Sequence, residues 1–433
     1  MTLSVTPSLI SGIPRLAPAD FPRPPRTRHL VARTISLGIC AIRAATWPDL
    51  RGGLSASDRE RPLVTGVNGP LMARKGDGRS VPGFDQSAYA GGPQMRLRLG
   101  YVRLRGRPEL SKYRDALPQL GNGLFLTDGG LETTLIFHEG VDLPEFAAFV
   151  LLADADGTDR LLRYYRLYMD IAAKAGAGFI AEAATWRASS RWASRLGYSR
   201  EELAGLNRKA IAILARLRDG YESAVAAPFV ISGCIGPRDD AYSPSTLMEP
   251  GKAVGYHSEQ IATLADTEAD LVSALTMTHT GEAIGVTRAA QHCGIPVVIS
   301  FTVETDGRLP SGESLGAAVQ MVDEATSGAP SYYMINCAHP SHFESALDPG
   351  RDWVRRLRGV RANASRRSHA ELDEAGELDV GDPDELAGDY QRLLSACPHV
   401  TVLGGCCGTD HRHLTAIART VLPGPSEHQH TGA

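Results

Sequence analysis

HVTVLGGCCGTDHRH, running from His399 to His413, is the stretch on which the reading of this chain turns. Its first five residues, His399 to Leu403, have the apolar, β-branched character of a short buried strand. Two adjacent cysteines then stand at the strand's carboxyl end, with Gly404 and Gly405 before them and Gly408 after. In an extended chain Cys406 and Cys407 would point to opposite faces. The three glycines supply permissive backbone that could turn both sulfurs toward one point. A soft metal ion is the most economical reason for such a turn. A third cysteine, Cys337 in YYMINCAHP, ends another apolar, strand-like run. Three thiolates with one open position is the ligand count of catalytic rather than structural zinc. The alternatives are thiols buried as small apolar groups and a strained disulfide.

Working outward from these cysteines, strands and helices alternate from about Leu110 onward. GLFLTDGG (123–130) is a strand ending in a polar turn, and RLLRYYRLYMDIAAKAG (160–176) is an amphipathic helix stopped by glycine. GFIAEAATW, PFVISGCIG, DLVSALTM and IPVVISFTVE read as strands two to five, with helical segments between them. Ser199 and Glu202 have the spacing of a capping box at the start of the second helix. YYMINCAHP is the sixth strand, trailed by HFESAL and DWVRRL; GVRANAS is a shorter seventh and HVTVL the eighth. Eight such units over roughly 310 residues predict an α/β fold, a (β/α)8 TIM barrel. The polar and glycine-rich segments follow the strands, where barrel chemistry sits. Even-numbered strands share side-chain layers inside a barrel, so Cys337 and the Cys406–Cys407 pair can converge.

The net charge of −4 over 433 residues hides an asymmetry. Residues 1–110 hold 17 Lys and Arg against 7 Asp and Glu, a net of +10; the remainder holds 28 against 42, a net of −14. An acidic body argues against nucleic-acid binding. Seven cysteines, an odd number, do not make a secreted disulfide framework. A thiolate site fits a reducing cytoplasm. No apolar run approaches the ~18 residues of a membrane helix. The first thirty residues lack a basic start followed by an apolar stretch and cleavage site. Residues 1–110, rich in Arg, Pro and Gly, are expected to be a disordered basic extension, or the product of a start site assigned too early. The barrel is expected over 111–425, with a flexible tail at 426–433. Cys40 and Met72 in the extension have no functional reading.

LTDGGLETTL at the first strand, NCAHP at the sixth and GGCCGTDHRH at the eighth, in that order, resemble the zinc-dependent homocysteine S-methyltransferases. The resemblance covers about Leu117 to Val421. It implies that Cys337, Cys406 and Cys407 ligate Zn2+, that Asp128 and Gly129 line the homocysteine pocket, and that Thr185 and Trp186 sit beside it. It also implies a small-molecule thiol and a methyl donor as partners, with homo-oligomerisation left open. One position departs from the family. Its fourth strand ends in a Glu-Thr pair whose glutamate holds the substrate ammonium group, whereas here Leu275 precedes Thr276. Glu182 and Glu304, after strands two and five, are the candidate substitutes. Asn336 and Asn363 end strands and could orient the substrate carboxylate or the donor; capping a turn is the alternative.

Among the remaining residues, His411 and His413 are expected to open the last helix and face outward, and His339 has no settled role. Cys234, Cys293 and Cys397 read as packing. Trp186, Trp192 or Tyr242 could cradle a cationic donor against an aromatic face. TDGGLETT lacks the spacing of a dinucleotide loop, so no nicotinamide cofactor is inferred. Two rival functions remain at this stage. A zinc barrel hydrolase would want His and carboxylate ligands, and the His-x-His after strand one is missing. A non-catalytic zinc-binding module of a methyl-transfer assembly is the other, and Leu275 keeps it open.

Overall fold

Eight apolar runs pair side by side in chain order and close on themselves. The computed structural model describes residues 111–242 and 246–422; the expectations for the basic extension, Cys40, Met72 and the carboxyl-terminal tail lie outside them. Strands β1 (Phe125–Leu126), β2 (Gly178–Glu182), β3 (Phe229–Ile235), β4 (Leu271–Met277), β5 (Val297–Phe301), β6 (Tyr332–Asn336), β7 (Leu357–Ala362) and β8 (Val402–Gly405) form a closed, all-parallel barrel. Almost every strand residue is buried, because one face meets the barrel interior and the other the surrounding helices. The long helices Ala155–Ala175, Arg200–Ala224, Pro250–Ala265, Thr280–Cys293, Leu315–Thr326 and Pro383–Ala396 cross between strands, and His411–Val421 follows β8. The crossover after β6 instead uses the short turns Pro340–Phe343, Glu344–Ala346 and Asp352–Arg356.

Local chemistry sets the element ends. The Ser199 hydroxyl accepts from the Glu202 amide at 3.2 Å while Glu202 accepts from the Ser199 amide at 2.8 Å, closing the expected capping box. Gly176 ends the first long helix at φ +64°, a left-handed stop. The amino-terminal end of the barrel interior is filled by Phe125, Ile180, Val230, Leu271, Val298 and Tyr332, covered by Leu117. That plug leaves the carboxyl end for polar residues. No described helix is long and apolar enough to cross a membrane.

Two strands differ from expectation. β7 begins at Leu357 and carries Arg361, so it is neither short nor purely apolar. β8 takes in Gly404 and Gly405, which continue the strand instead of turning it. Their reason is close approach: a Cβ on Gly404 would lie 1.9 Å from Thr127 Oγ1, and one on Gly405 would lie 2.0 Å from Thr409 Oγ1. Only Gly408 of the three has positive φ, at +78°.

Candidate active site

The three cysteines meet at the carboxyl end of the barrel. Cys406 Sγ lies 3.1 Å and Cys407 Sγ 3.5 Å from Cys337 Sγ, and all three sulfurs fall within 4.8 Å of one another. These are contacts between free thiols, not disulfide bonds. Cys337 reaches this point through a left-handed backbone at φ +58°, a conformation that costs a non-glycine residue about 1–3 kcal/mol. The strain is held by its surroundings. The Cys337 carbonyl accepts from Asn363 Nδ2 at 3.0 Å, His369 Nε2 at 2.7 Å and Thr302 Oγ1 at 3.4 Å.

Asn336 fixes the second strained position. Thr276, at the end of β4, has φ +61°. The Asn336 Oδ1 accepts from the Thr276 amide at 2.8 Å and from the Ser300 hydroxyl at 2.6 Å, while its Nδ2 donates to Thr276 Oγ1 at 2.8 Å. One asparagine thereby ties β4 and β5 to the residue before Cys337. Its Nδ2 also lies 3.8 Å from Cys406 Sγ.

Three thiols this close resist ionising together, because each negative charge raises the cost of the next. Contacts with the Cys337 and Cys407 thiols, with Arg361 nearby, hold Cys406 well below the usual thiol range. Its hydrogen bonds with those neighbours hold Cys337 and Cys407 above it. Tyr242 approaches from the β3–β4 connection, its hydroxyl 2.9 Å from Cys337 Sγ and 3.6 Å from Cys407 Sγ. Its ring stacks on His369 with centroids 3.8 Å apart.

A cavity with about 670 Å³ of empty space, its mouth included, opens beside the sulfurs. Asp128, Gly129, Glu182, Trp186 and Asn336 line it, as do Leu275, Thr276, Glu132 and Arg361. Both Asp128 oxygens are taken: Oδ1 accepts from Arg361 at 2.7 Å and Oδ2 from the Tyr164 hydroxyl at 3.1 Å. Burial pushes the Glu182 carboxyl up to about 6, with Arg361 pulling it back. Burial likewise pushes Glu132 up to about 7. Leu275 faces this cavity, and its carbonyl accepts from the Trp186 indole at 3.4 Å.

Several expectations are revised. Glu304 does not line the cavity; its side chain is 34% exposed and meets His369 Nδ1 at 3.1 Å. Thr185 is buried one step back, donating to the Cys234 carbonyl at 2.8 Å. Asn363 buttresses Cys337 instead of reaching the cavity. Trp192 lies under the Arg187 guanidinium, 3.7 Å from its ring centre, and does not line the cavity. Cys234 does line it, whereas Cys397 packs in the core. His413 is fully buried, not outward: its Nδ1 accepts from the Asp410 amide at 3.1 Å and its Nε2 donates to the Val380 carbonyl at 2.8 Å. Capping the helix from within is what turns it inward. His339, also buried, lies 3.4 Å from Asp389, and burial holds its imidazole down at about 3, hence neutral.

Residues 125–421 match the family model described as homocysteine S-methyltransferase. The chain belongs to that family. It is thereby a methyltransferase. Among homocysteine S-methyltransferase family relatives, it is 26% identical over 329 residues to homocysteine S-methyltransferase 3 of Zea mays, covering 71% of this chain and 93% of the relative. It is 24% identical over 337 residues to homocysteine S-methyltransferase 2 of Arabidopsis thaliana, covering 71% and 96%. The fold is similar to the metallated form of the homocysteine methyltransferase MmuM from Escherichia coli, with a TM-score of 0.55 and 19% identity over 69% of this chain and 96% of that one. Arg361 and Glu132, which line the cavity, and His369, which holds the Cys337 carbonyl, are the residues that sequence reading passed over. The one signal available in the sequence is an arginine between Val360 and Ala362 of the seventh strand.

Proposed function

We propose that this chain is a zinc-dependent S-methyltransferase that moves a methyl group from a sulfonium or quaternary ammonium donor to homocysteine or a similar amino-acid thiol, forming methionine in the first case. The observation that carries it is the meeting of three sulfurs from β6 and β8 beside a lined cavity. The donor set fits the metal: three soft, buried or half-buried sulfurs, close enough to share one ion, with no histidine or carboxylate among them. Cys337, Cys406 and Cys407 would hold the ion. Zinc, when bound, supplies acidity, so that a thiol joining it loses its proton and becomes a nucleophile at neutral pH.

The chain's own residues do the rest. Asn336, Asn363 and His369 hold the strained Cys337 loop so that its sulfur stays aimed at the other two. Trp186 and Tyr242 line the cavity and offer π-faces to a cationic donor. As the acceptor sulfur forms its bond to the methyl carbon, the donor's C–S or C–N bond breaks. That electron pair leaves with the donor atom, which becomes neutral. Alignment of the two partners in a dry cavity can contribute about 7–11 kcal/mol. Three ligand thiolates fit a reducing compartment, so a cytoplasmic location belongs to this reading.

The test is methyl transfer to homocysteine from S-methylmethionine and from glycine betaine, with and without a chelator, alongside metal analysis. Transfer that is lost on chelation and returns with zinc is the expected result. One bound zinc with no transfer from either donor would favour the second reading, a binding module, which Leu275 in place of a carboxylate supports.

A further inference from the structure

The substrate cavity contains two buried polar atoms of opposite charge that no protein group satisfies. Glu182 and Arg361 are each 5% exposed and both line the cavity. Arg361 spends Nε on the Gly405 carbonyl at 3.2 Å, and Nη2 on Asp128 at 2.7 Å and the Gly129 carbonyl at 3.4 Å. Its Nη1 has no partner, and neither has Glu182 Oε2. Native proteins usually satisfy buried polar atoms with protein, water or ligand groups, and here two oppositely charged groups with such an atom open on one cavity. The remaining carboxylates fit the role less well. Asp128 has both oxygens occupied, Glu304 is outside the cavity, and Glu132 is only half-buried. Leu275 presents only hydrocarbon to the same space.

We propose that Glu182 and Arg361 form a zwitterion clamp, Glu182 holding the ammonium and Arg361 Nη1 the carboxylate of an α-amino-acid acceptor. Resting on the function proposed above, this assigns the acceptor class: a thiol that carries a free α-amino acid head, recognised from β2 and β7 instead of from β4. An acceptor without an ammonium group leaves Glu182 unpaired in a buried site, so the clamp selects against it.

Equilibrium binding to the full zinc-loaded chain tests this without requiring turnover. The probes are L-methionine, 4-(methylthio)butanoate, which lacks the amine, and 3-(methylthio)propylamine, which lacks the carboxylate. The wild type should bind methionine at least ~10-fold more tightly than either analogue. Glu182→Gln, nearly isosteric, should weaken methionine to the level of the butanoate and leave the butanoate unchanged. Arg361→Lys should weaken methionine and the butanoate while sparing the amine. Leu275→Glu in the Glu182→Gln background should restore the methionine preference, which shows that a folded cavity remained. The proposal falls if Glu182→Gln keeps the preference, if Glu132→Gln abolishes it instead, or if the wild type does not bind methionine. Failure of methyl transfer with this binding pattern intact would overturn the catalytic reading alone.

Discussion

The two ends of one cavity are built on different rules. At the sulfur end, every contact serves one geometry: Cys337 is strained, its carbonyl takes three donors, and Asn336 bridges to a second strained residue on β4. At the head-group end, the polar atoms are partly unspent: Glu182 and Arg361 each keep a free polar atom, and Leu275 faces them. Metal ligation needs particular ligand atoms at fixed positions, so its supporting contacts are closed among protein groups. Recognition of an amino acid needs only a charge of the right sign within reach. It can pass from one strand to another. The departure at Leu275 therefore sits where the fold tolerates it.

The largest effect should come from breaking the sulfur end outright. Cys407→Ser is expected to lose bound metal and to lower the transfer rate on the order of 10³-fold, since metal activation is worth several kcal/mol. Metal content and rate should fall together. Full activity in a metal-free Cys407→Ser protein would mean that the three sulfurs are not the reaction's centre.

Next in size is the asparagine that supports it. Asn336→Ala removes the partner of the Thr276 amide and hydroxyl and of Ser300. Metal affinity, measured by competition with a chromogenic chelator, should fall about 10- to 100-fold, with a stability cost of about 1–3 kcal/mol for the buried groups left unpaired. A loss of thermal stability with unchanged metal affinity would make Asn336 a brace for the barrel only, and would dissolve the contrast between the two ends.

How much of this contrast can be read from residues alone follows the same division. Gly-Gly-Cys-Cys-Gly and Asn-Cys are unusual in themselves, and strand order carries them to one face, so the sulfur end is legible before any coordinates. Leu275 is legible as a departure. Its replacement is less so: Glu182 ends β2 and Glu304 follows β5, and burial separates them, the first enclosed and the second 34% exposed. Arg361 hides because a basic residue in a strand commonly reads as its exposed end. Gly404 and Gly405 mislead because glycine serves both turns and close approach, and only the distances to Thr127 and Thr409 tell them apart. His413 misleads because the first turn of a helix is ordinarily solvated.

A gentler probe of the head-group end is pH. Glu182 faces Arg361 from β7 and Asp128 from the turn after β1, with the Ser232 and Ser273 hydroxyls of β3 and β4 beside it. Arg361 stays charged and Asp128 is already paired with it, so two cavity carboxylates change near neutrality: Glu132, pushed up to about 7, and Glu182, pushed up to about 6. Its charged form prevails above that value and attracts the ammonium. Methionine should therefore bind more tightly as pH rises, by about tenfold between pH 5 and 7.5 for one linked proton. Glu182→Gln should flatten the profile. The same slope in that variant would assign the titration elsewhere, with Glu132 the first alternative.

The smallest expected effect lies just beyond the sulfurs and should leave both ends of the cavity untouched. Asp410 caps the helix His411–Val421: its carboxylate accepts from the Arg412 amide at 2.9 Å and from the Arg412 guanidinium at 2.7 Å. Although burial opposes its charge, its contacts with His413 and Arg412 hold its carboxyl well below the usual carboxylate range. A depressed carboxylate stabilises the fold above its unfolded value of about 3.9, and that contribution is lost as pH falls below it. Asp410→Asn keeps a capping oxygen but removes the charge at the helix's amino terminus, which should cost about 0.3–1 kcal/mol near pH 7, or about 1–2 °C in melting temperature for a barrel of this size. The difference from wild type should shrink as pH falls below about 4, where the unfolded wild-type chain takes up the proton before the folded one does. Because the cap meets neither the sulfurs nor Glu182, metal affinity and methionine binding should stay at wild-type values. A fall in metal affinity at pH 7 would instead show that the helix cap holds the Cys406–Cys407 turn in place, and would extend the sulfur end's closed network into the last helix.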